Sequence, residues 1–342
     1  MLAIIADDLT GALDTAAPFA GRGLFTEVAL TVEAIPEAMS RKPKVLSINT
    51  GSREMDADAA RKATAAALSF LPPDTLLFKK IDSRLKGHIA AELDITPFHS
   101  ALVAPAIPDF GRIVKAGHVE GFGVAAPISI VEVLGTHASL ATIPDTGSQD
   151  EMRDWLEASQ KSGVDLLVGA RGLAEALAQQ MSHRASALAA DIPDGPGLFI
   201  IGSSDPITLA QIDKLRASFQ LCYLPAPNGH VVEPSSNDRT ITLVQATPGD
   251  EPCAPPEVSR RLADSIYPAL TEAAATLVLS GGATAEAVLR RMGISRFRLL
   301  GECLPGLGLA HANGHCIIAK SGGFGQPGTL REIADRILRK TG

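Results

Sequence analysis

The stretch that decides the fold is residues 2–16, LAIIADDLTGALDTA. Leu2, Ala3, Ile4 and Ile5 form an apolar run with no polar break, which suits a strand covered on both faces. The run stops at two carboxylates, Asp7 and Asp8. Thr10, Gly11 and the small residues Ala12, Ala16, Ala17 and Ala20 follow, a composition for a helix packed closely on a sheet. In open α/β sheets ligands bind beyond the carboxyl ends of the strands, so these acids stand where a substrate sits. A single aspartate here reads as a helix cap that accepts backbone N–H groups; capping does not account for two.

Outward from this stretch, strands and helices alternate. Residues 27–32 and 44–49 read as strands, the second ending in the polar cluster Thr50-Gly51-Ser52-Arg53. Residues 56–71 are alanine-rich and helical, stopped by Pro72-Pro73. A strand at 75–78 runs into the densest polar segment of the chain, KKIDSRLKG at 79–87. The strand at 101–104 opens into Pro105 and a loop reaching Arg112, and residues 113–127, with Gly117, Gly121 and Gly123, read as a hairpin or irregular flap. Elements at 140–143, 151–159, 166–168 and 173–181 restore the alternation.

The segment DIPDGPG at 191–197 reads as a linker. Beyond it come a strand at 198–201, a helix at 207–218 and strands near 221 and at 241–244. A proline-rich patch at 248–256 precedes a helix at 258–272. Strands at 276–279 and 316–319 each lead into a glycine-rich turn, and a last helix begins near 329. This order predicts βαβ units and two α/β domains with mainly parallel sheets, residues 1–192 and 198–342, with the active site in the interdomain cleft.

The bulk properties fit. The chain has 342 residues, 46% of them hydrophobic and 20% charged, which is globular and long enough for two cores. A net charge of −7 argues against nucleic acid as a partner. Cys222, Cys253, Cys303 and Cys316 have neither zinc-site spacing nor the density of a disulfide framework, so buried free thiols in a reducing cytosol are expected. No signal peptide and no membrane-length apolar run is visible, so a cytoplasmic, soluble protein without a membrane partner is the expectation. The oligomeric state stays open, a homo-oligomer included.

The two halves carry different chemistry. In the second, SGGATA at 280–285 and KSGGFG at 320–325 are strand-to-helix turns in which glycine lets backbone N–H groups approach an anion, and Ile201-Gly202-Ser203-Ser204 is a weaker third. None is a Walker A loop or a dinucleotide fingerprint, so a dehydrogenase is a weaker alternative. Lys320 reads either as a phosphate ligand or as a solvated charge at a strand end. In the first half, Asp7 and Asp8 are candidates for a general base or for holding Mg²⁺. Arg53, Lys80, Arg84, Lys86 and Arg112 lie at or just past strand ends, and several cations so placed suggest a small acidic substrate. Each alone is better explained by surface ion pairs; the joint placement favours function.

Seven segments occur in a telling order: ADDLTGALDTA (6–16), KKIDSRLKGH (79–88), PAIPDFGR (105–112), VGARGLAEALA (168–178), IGSSDPITLAQI (201–212), SGGATAEAVL (280–289) and KSGGFG (320–325). Over nearly its whole length the chain resembles the four-carbon acid sugar kinases, which act on 3-oxo-tetronate, D-threonate and D-erythronate. The resemblance implies an amino-terminal domain for the sugar acid and a carboxyl-terminal domain for ATP. It also implies Mg²⁺-assisted phosphorylation of a terminal hydroxyl.

Position by position, the DDxTGA motif falls on Asp7, Asp8, Thr10, Gly11 and Ala12, with Asp7 or Asp8 expected to be catalytic. The substrate segment falls on Lys80, Asp82, Ser83, Leu85, Lys86 and Gly87, joined by Arg53, Arg84 and Arg112. Nucleotide contacts fall on Ser203, on Gly281, Gly282, Ala283 and Thr284, and on Gly322, Gly323 and Gly325, with Lys320 beside them. Three departures stand out. The usual DSTLRG is DSRLKG here, which introduces Arg84 and replaces a bidentate arginine by Lys86. The acid often found in the GG-x-TA turn is Ala283. The chain also looks trimmed between residues 224 and 258. These departures motivate an alternative, a catalytically impaired protein that still binds nucleotide and sugar acid.

Overall fold

A run with no polar interruption can be buried on both faces, and the strand β1 (Leu2–Ala6) is buried at all five positions. The computed structural model describes residues 1–232 and 240–341. The stretch 224–258, read as trimmed, therefore lies partly outside the described residues. Contacts divide the chain into an amino-terminal unit, Met1–Leu188, and a carboxyl-terminal unit, Ala189–Gly342.

In the first unit β1 is followed by α1 (Leu9–Gly21), β2 (Thr26–Ala29), α2 (Ile35–Ser40), β3 (Val45–Asn49), α3 (Ala57–Ser69), β4 (Leu76–Lys80), α4 (Ile89–Leu93) and β5 (Ala101–Ala104). Strands β6 (Arg112–Lys115), β7 (His118–Gly121) and β8 (Ile128–Ser129) form a small antiparallel sheet where a hairpin or flap is expected. Then come α5 (Ile130–Leu134), β9 (Ala141–Thr142), α6 (Gln149–Lys161), β10 (Leu166–Gly169) and α7 (Arg171–Ser182). The main sheet is wholly parallel, in the order β2-β3-β1-β4-β10-β5-β9. The chain winds outward from β1 through β3 on one side and β4 on the other. The carboxyl end of β1 is therefore a topological switch point.

Small residues let α1 pack against β3 and α7, and the Ser47 hydroxyl on β3 donates to the Ala12 carbonyl at 2.8 Å. Helix starts follow the caps: Asp8 accepts from Gly11 N for α1, Asp56 from Ala59 N for α3, and Ser148 with Glu151 forms a full capping box for α6.

The second unit runs β11 (Gly197–Ile201), α8 (Pro206–Ser218), β12 (Cys222–Pro227), β13 (Ile241–Thr247), α9 (Pro255–Ile266), β14 (Thr276–Ser280), α10 (Gly282–Arg291), β15 (Arg296–Leu304), β16 (Leu307–Ala312), β17 (His315–Lys320) and α11 (Thr329–Thr341). Strands β12-β13-β11-β14-β17 are parallel, and the antiparallel β16 and β15 extend them. Their core is Phe199, Ile201, Ile212, Leu243, Val278, Ile318 and Ile333 with their neighbours. Here too the winding reverses, between β11 and β14.

Several sequence expectations change, and the short helices α2, α4 and α5 fall where no element is expected. The β15–β16 hairpin replaces a segment with no assigned element, because its alternation is broken by bulges at Leu299/Gly301 and Glu302/Leu304. Helix α9 ends at Ile266 rather than near 272, since Pro268 lacks the N–H that would continue it. Of the cysteines, Cys303 and Cys316 are buried while Cys222 and Cys253 are half-buried, and all four are free. No described helix is long and apolar enough to cross a membrane.

Candidate active site

The amino-terminal switch point gathers charge. Thr50 N donates to the Ala6 carbonyl at 2.9 Å and Arg53 N to the Asp7 carbonyl at 3.0 Å, so the turn after β3 is fastened to the end of β1. This places the Arg53 guanidinium on Asp7 as a fork, Nε to one carboxylate oxygen and Nη2 to the other at 2.8 Å. The same guanidinium reaches Asp8 at 3.4 Å and Asp82 at 3.5 Å. Arg53, expected to hold substrate, is thus engaged by three of the chain's own acids. Burial alone would raise the Asp7 carboxyl; the Arg53 fork and the charges of Lys79 and Lys80 outweigh it and hold Asp7 below the usual carboxylate range. Asp8 caps α1 and accepts the Thr10 hydroxyl at 2.9 Å.

Residues that alternate along a strand point to opposite faces, and the two lysines ending β4 do so. Lys79 forms a buried ion pair with Glu92 at 2.8 Å, and Glu92 also accepts the Ser52 hydroxyl at 2.6 Å. Lys80 turns the other way, over α1, where a Cβ on Gly11 would lie 2.5 Å from its Nζ and 2.4 Å from an Asp8 oxygen. Only glycine leaves room for that crossing. Lys80 is 4% exposed, yet among the described residues its ammonium has no hydrogen bond and no ion pair. Burial would lower its pKa; Asp14, Asp8, Asp7 and Asp82 together raise it, so it stays charged.

The loop after β4 continues the pattern. Asp82 accepts Arg84 N at 2.8 Å, and Leu85 sits at φ 58°, a left-handed conformation that costs energy for a bulky side chain. Gly87 lies against the Asp7–Arg53 pair. Arg112 donates to the Ser83 hydroxyl and, through Nε and Nη2, to the Phe122 carbonyl at 3.0 and 2.8 Å. Burial and the neighbouring Arg84 charge lower the Arg112 pKa, with Asp82 opposing them. Arg84 is half-buried and its side chain has no partner among the described residues, while Lys86 is exposed. Lys80, Arg84 and Arg112 are therefore cations not matched one-to-one by an acid.

At the carboxyl-terminal switch point the backbone is presented. Helix α10 starts after Gly281, which has φ 105°, a conformation open to glycine, and no side chain caps its first N–H groups. Gly282 and the exposed Ala283 follow, whereas Thr284 is buried against Gly202, its hydroxyl 3.3 Å from that of Ser259. The Ser280 hydroxyl is buried with no partner among the described residues. Ser203 packs against Gly322 and accepts Asp205 N at 3.2 Å.

Lys320 is not the solvated charge that one reading of the sequence allows. It is 1% exposed and donates to Thr208, Ser321, Gly322 and Phe324 oxygens at 2.8–3.3 Å. Burial lowers its pKa to about 8, opposed by Asp205. Gln211 adds bonds to the Phe324 and Gln326 carbonyls, so Lys320, Thr208 and Gln211 hold the loop carrying Gly322, Gly323 and Gly325 on α8. Sequence reasoning missed Glu92, Thr208, Gln211 and Asp14. Only Asp14 had a visible signal, its place four residues after Thr10 on one helix face.

One unit thus gathers charged side chains at its strand ends, and the other an uncapped, glycine-lined helix start. Two family models match the chain, one described as a sugar-binding N-terminal domain matching residues 2–221 and one as a nucleotide-binding C-terminal domain matching 230–330. The chain belongs to the four-carbon acid sugar kinase family, a family of carbohydrate kinases. A D-threonate kinase of Salmonella typhimurium is 28% identical, over 96% of each chain. A 3-oxo-tetronate kinase of Cupriavidus necator is 25% identical over 100% of this chain and 97% of its own. A D-erythronate kinase of Heliobacterium modesticaldum is 37% identical over 34% of this chain and 28% of its own. Among solved structures, Haemophilus influenzae protein HI1011, of the DUF1537 family, shares the fold with a TM-score of 0.71 at 18% identity, covering 98% of this chain and all of its own. A Salmonella typhimurium structure described as a putative tRNA synthase gives 0.75 at 19% identity, covering 100% of this chain and 99% of its own.

Proposed function

We propose that the protein transfers the terminal phosphate of ATP to the terminal hydroxyl of a four-carbon acid sugar, a tetronate or 3-oxo-tetronate. The observation that carries this reading is the set Lys80, Arg84 and Arg112, cations left unmatched at the switch point of a sheet. Arg84 and Arg112, beside Ser83, take the substrate carboxylate. Thr10, Asp82, Lys86 and Gly87 border the same pocket. Arg53 acts through Asp7, Asp8 and Asp82, fixing their positions rather than gripping the substrate alone. Asp14, Asp8 and Asp7 form the anionic wall that keeps Lys80 charged, and Asp7 and Asp8 orient the hydroxyl.

On the nucleotide side, the free N–H groups of Gly282, Ala283 and Thr284 and the orphaned Ser280 hydroxyl fit a phosphate. Ser203, Gly281 and the Gly322–Gly325 loop complete the cradle, with Lys320 holding that loop in shape. Among the described residues no three acids, histidines or cysteines are grouped to cage a metal. Asp7 and Asp8 already face Arg53. These residues do not fit a protein-held Mg²⁺; an ion brought in with the nucleotide would serve to neutralise phosphate charge.

The test is ADP release by the purified protein with ATP, Mg²⁺ and a panel of D- and L-threonate, D- and L-erythronate and their 3-oxo forms. Turnover of at least one is expected; silence across the panel by folded protein sinks the reading. The exposed Ala283 at the start of α10 favours a second reading, a binding protein that has lost transfer. That reading requires thermal stabilisation by ATP and by a tetronate without ADP release.

A further inference from the structure

Asp14 takes no part in the helix cap or in the Arg53 fork. It lies on α1 four residues after Thr10 and three after Gly11, so the three share one face of the helix. That face is the one Lys80 crosses, with its Nζ packed where a Gly11 side chain would stand. Lys80 is a buried ammonium without a partner among the described residues, and of the acids that keep it charged Asp14 contributes most. Asp14 itself is half-buried and accepts one hydrogen bond, from the Thr15 hydroxyl at 2.8 Å to Oδ1. Its second oxygen has no donor among the described residues.

We propose that Asp14 is the proton acceptor in phosphoryl transfer, a role that rests on the kinase reading above. Lys80 donates to the attacking hydroxyl and holds it beside Asp14. The hydroxyl O–H bond breaks and its proton passes to Asp14 Oδ2. The oxygen's electron pair forms the new bond to the terminal phosphorus. The bridging P–O bond breaks, and its electrons leave with the nucleoside diphosphate.

The surroundings suit a base working near neutrality. The charges acting on Asp14 are those of Lys80 from β4, Asp8 from the start of α1 and Arg171 from the start of α7, and the Thr15 hydroxyl donates to it. Burial pushes its carboxyl up to about 6 against the pull of Lys80 and Arg171. A base of that strength is ionised at pH 7 and still takes up a proton readily, whereas the Arg53 fork makes Asp7 a weak base.

Wild type, Asp14→Asn and Asp14→Glu are compared in kcat, in KM for acid and ATP, and in kcat/KM against pH. A carboxyl ¹³C NMR titration of the free protein adds a readout independent of turnover. Asp14→Asn should lose at least about a hundredfold in kcat with both KM values little changed. The acidic limb near pH 6 should vanish with it, as should one carboxyl resonance titrating near 6. Asp14→Glu should restore part of the rate with a displaced limb. A D14N protein that keeps the limb overturns the proposal, whether its kcat is normal or reduced, since a structural role alone would leave the limb in place. If wild type turns over no tetronate, the kinase reading falls and the proposal with it. If wild type turns over and only the limb is indifferent to Asp14, the base assignment alone falls.

Discussion

At the switch point of the amino-terminal sheet, between β1 and β4, the side chains that line the strand ends are nearly all charged: Asp7, Asp8, Arg53, Lys80 and Asp82. At that of the carboxyl-terminal sheet, between β11 and β14, backbone takes their place, through Gly202, Gly281 and Gly282. In both units parallel strands ending together leave a crevice where the winding reverses, and the proposed function puts a ligand in each. What differs, on the proposed function, is the ligand each would take. A sugar acid offers hydroxyls and one carboxylate, which directed side chains can tell apart. A phosphate is nearly spherical and highly charged, so a row of N–H groups suffices. Charge in the first unit also has to be balanced internally, and that makes it the costlier of the two to disturb.

The largest effect should come from removing a cation whose partner stays behind. Arg53→Ala leaves Asp7 buried and unpaired, and should cost about 3–5 kcal/mol of stability by denaturant unfolding. Adding Asp7→Asn should recover much of it. If the single variant unfolds like wild type, the fork does not balance the buried charge. Lys80→Met is the contrasting case, since that ammonium leaves behind no hydrogen-bonded or ion-paired acid, and Asp14 can take up a proton in its place. It should lower kcat/KM roughly a hundredfold, about 2.7 kcal/mol in transition-state binding, with little change in thermal midpoint. An equal fall in stability would instead make Lys80 a fastener.

Asp14 offers a stability readout of its own. Its carboxyl is raised from 3.8 to about 6 in the folded protein. Between those values the folded state holds the proton that the unfolded chain has lost, so this group makes stability fall as pH rises from about 4 to about 6, a loss on the order of 1–3 kcal/mol that persists above it. Asp14→Asn should flatten that slope in urea titrations taken at several pH values. In the other unit, Gly281→Ala forces φ 105° on a residue with a Cβ. Roughly a tenfold rise in the KM for ATP is expected, about 1.4 kcal/mol, with the KM for the acid unchanged. Smallest of all, Arg84→Thr should raise the KM for the acid by a few-fold, at most about 1 kcal/mol for a half-exposed charge, and leave ATP binding alone. A change in the KM for ATP only would move Arg84 out of the acid pocket.

Much of this arrangement is legible in the amino-acid sequence. An uninterrupted apolar run ending in Asp7-Asp8, and polar clusters ending the strands before Arg53 and after Lys80, announce a parallel sheet with its chemistry at one end. Pairings are not legible. Arg53 meets Asp7 across 46 positions and Ser52 meets Glu92 across 40, distances at which spacing carries no information. For that reason Arg53 reads as a ligand for substrate with no sign that it also pairs with Asp7, Asp8 and Asp82. Lys320 leaves two readings open, a phosphate ligand or a solvated charge, and its enclosure by three loop carbonyls and the Thr208 hydroxyl of α8 removes the second. The β15–β16 hairpin is hidden by bulges, which erase the two-residue period that marks a strand.

The adjacent lysines at the end of β4 carry one more consequence. A slip of one residue in the pairing of β4 with β1 would exchange the faces of Lys79 and Lys80. The apolar pattern of β4 is short and guards weakly against such a slip. The Lys79–Glu92 pair guards against it strongly, because the slipped strand would leave a carboxylate in the interior without its cation. That buried pair is thus a registration pin: it decides on which side of the sheet the Lys80 ammonium emerges.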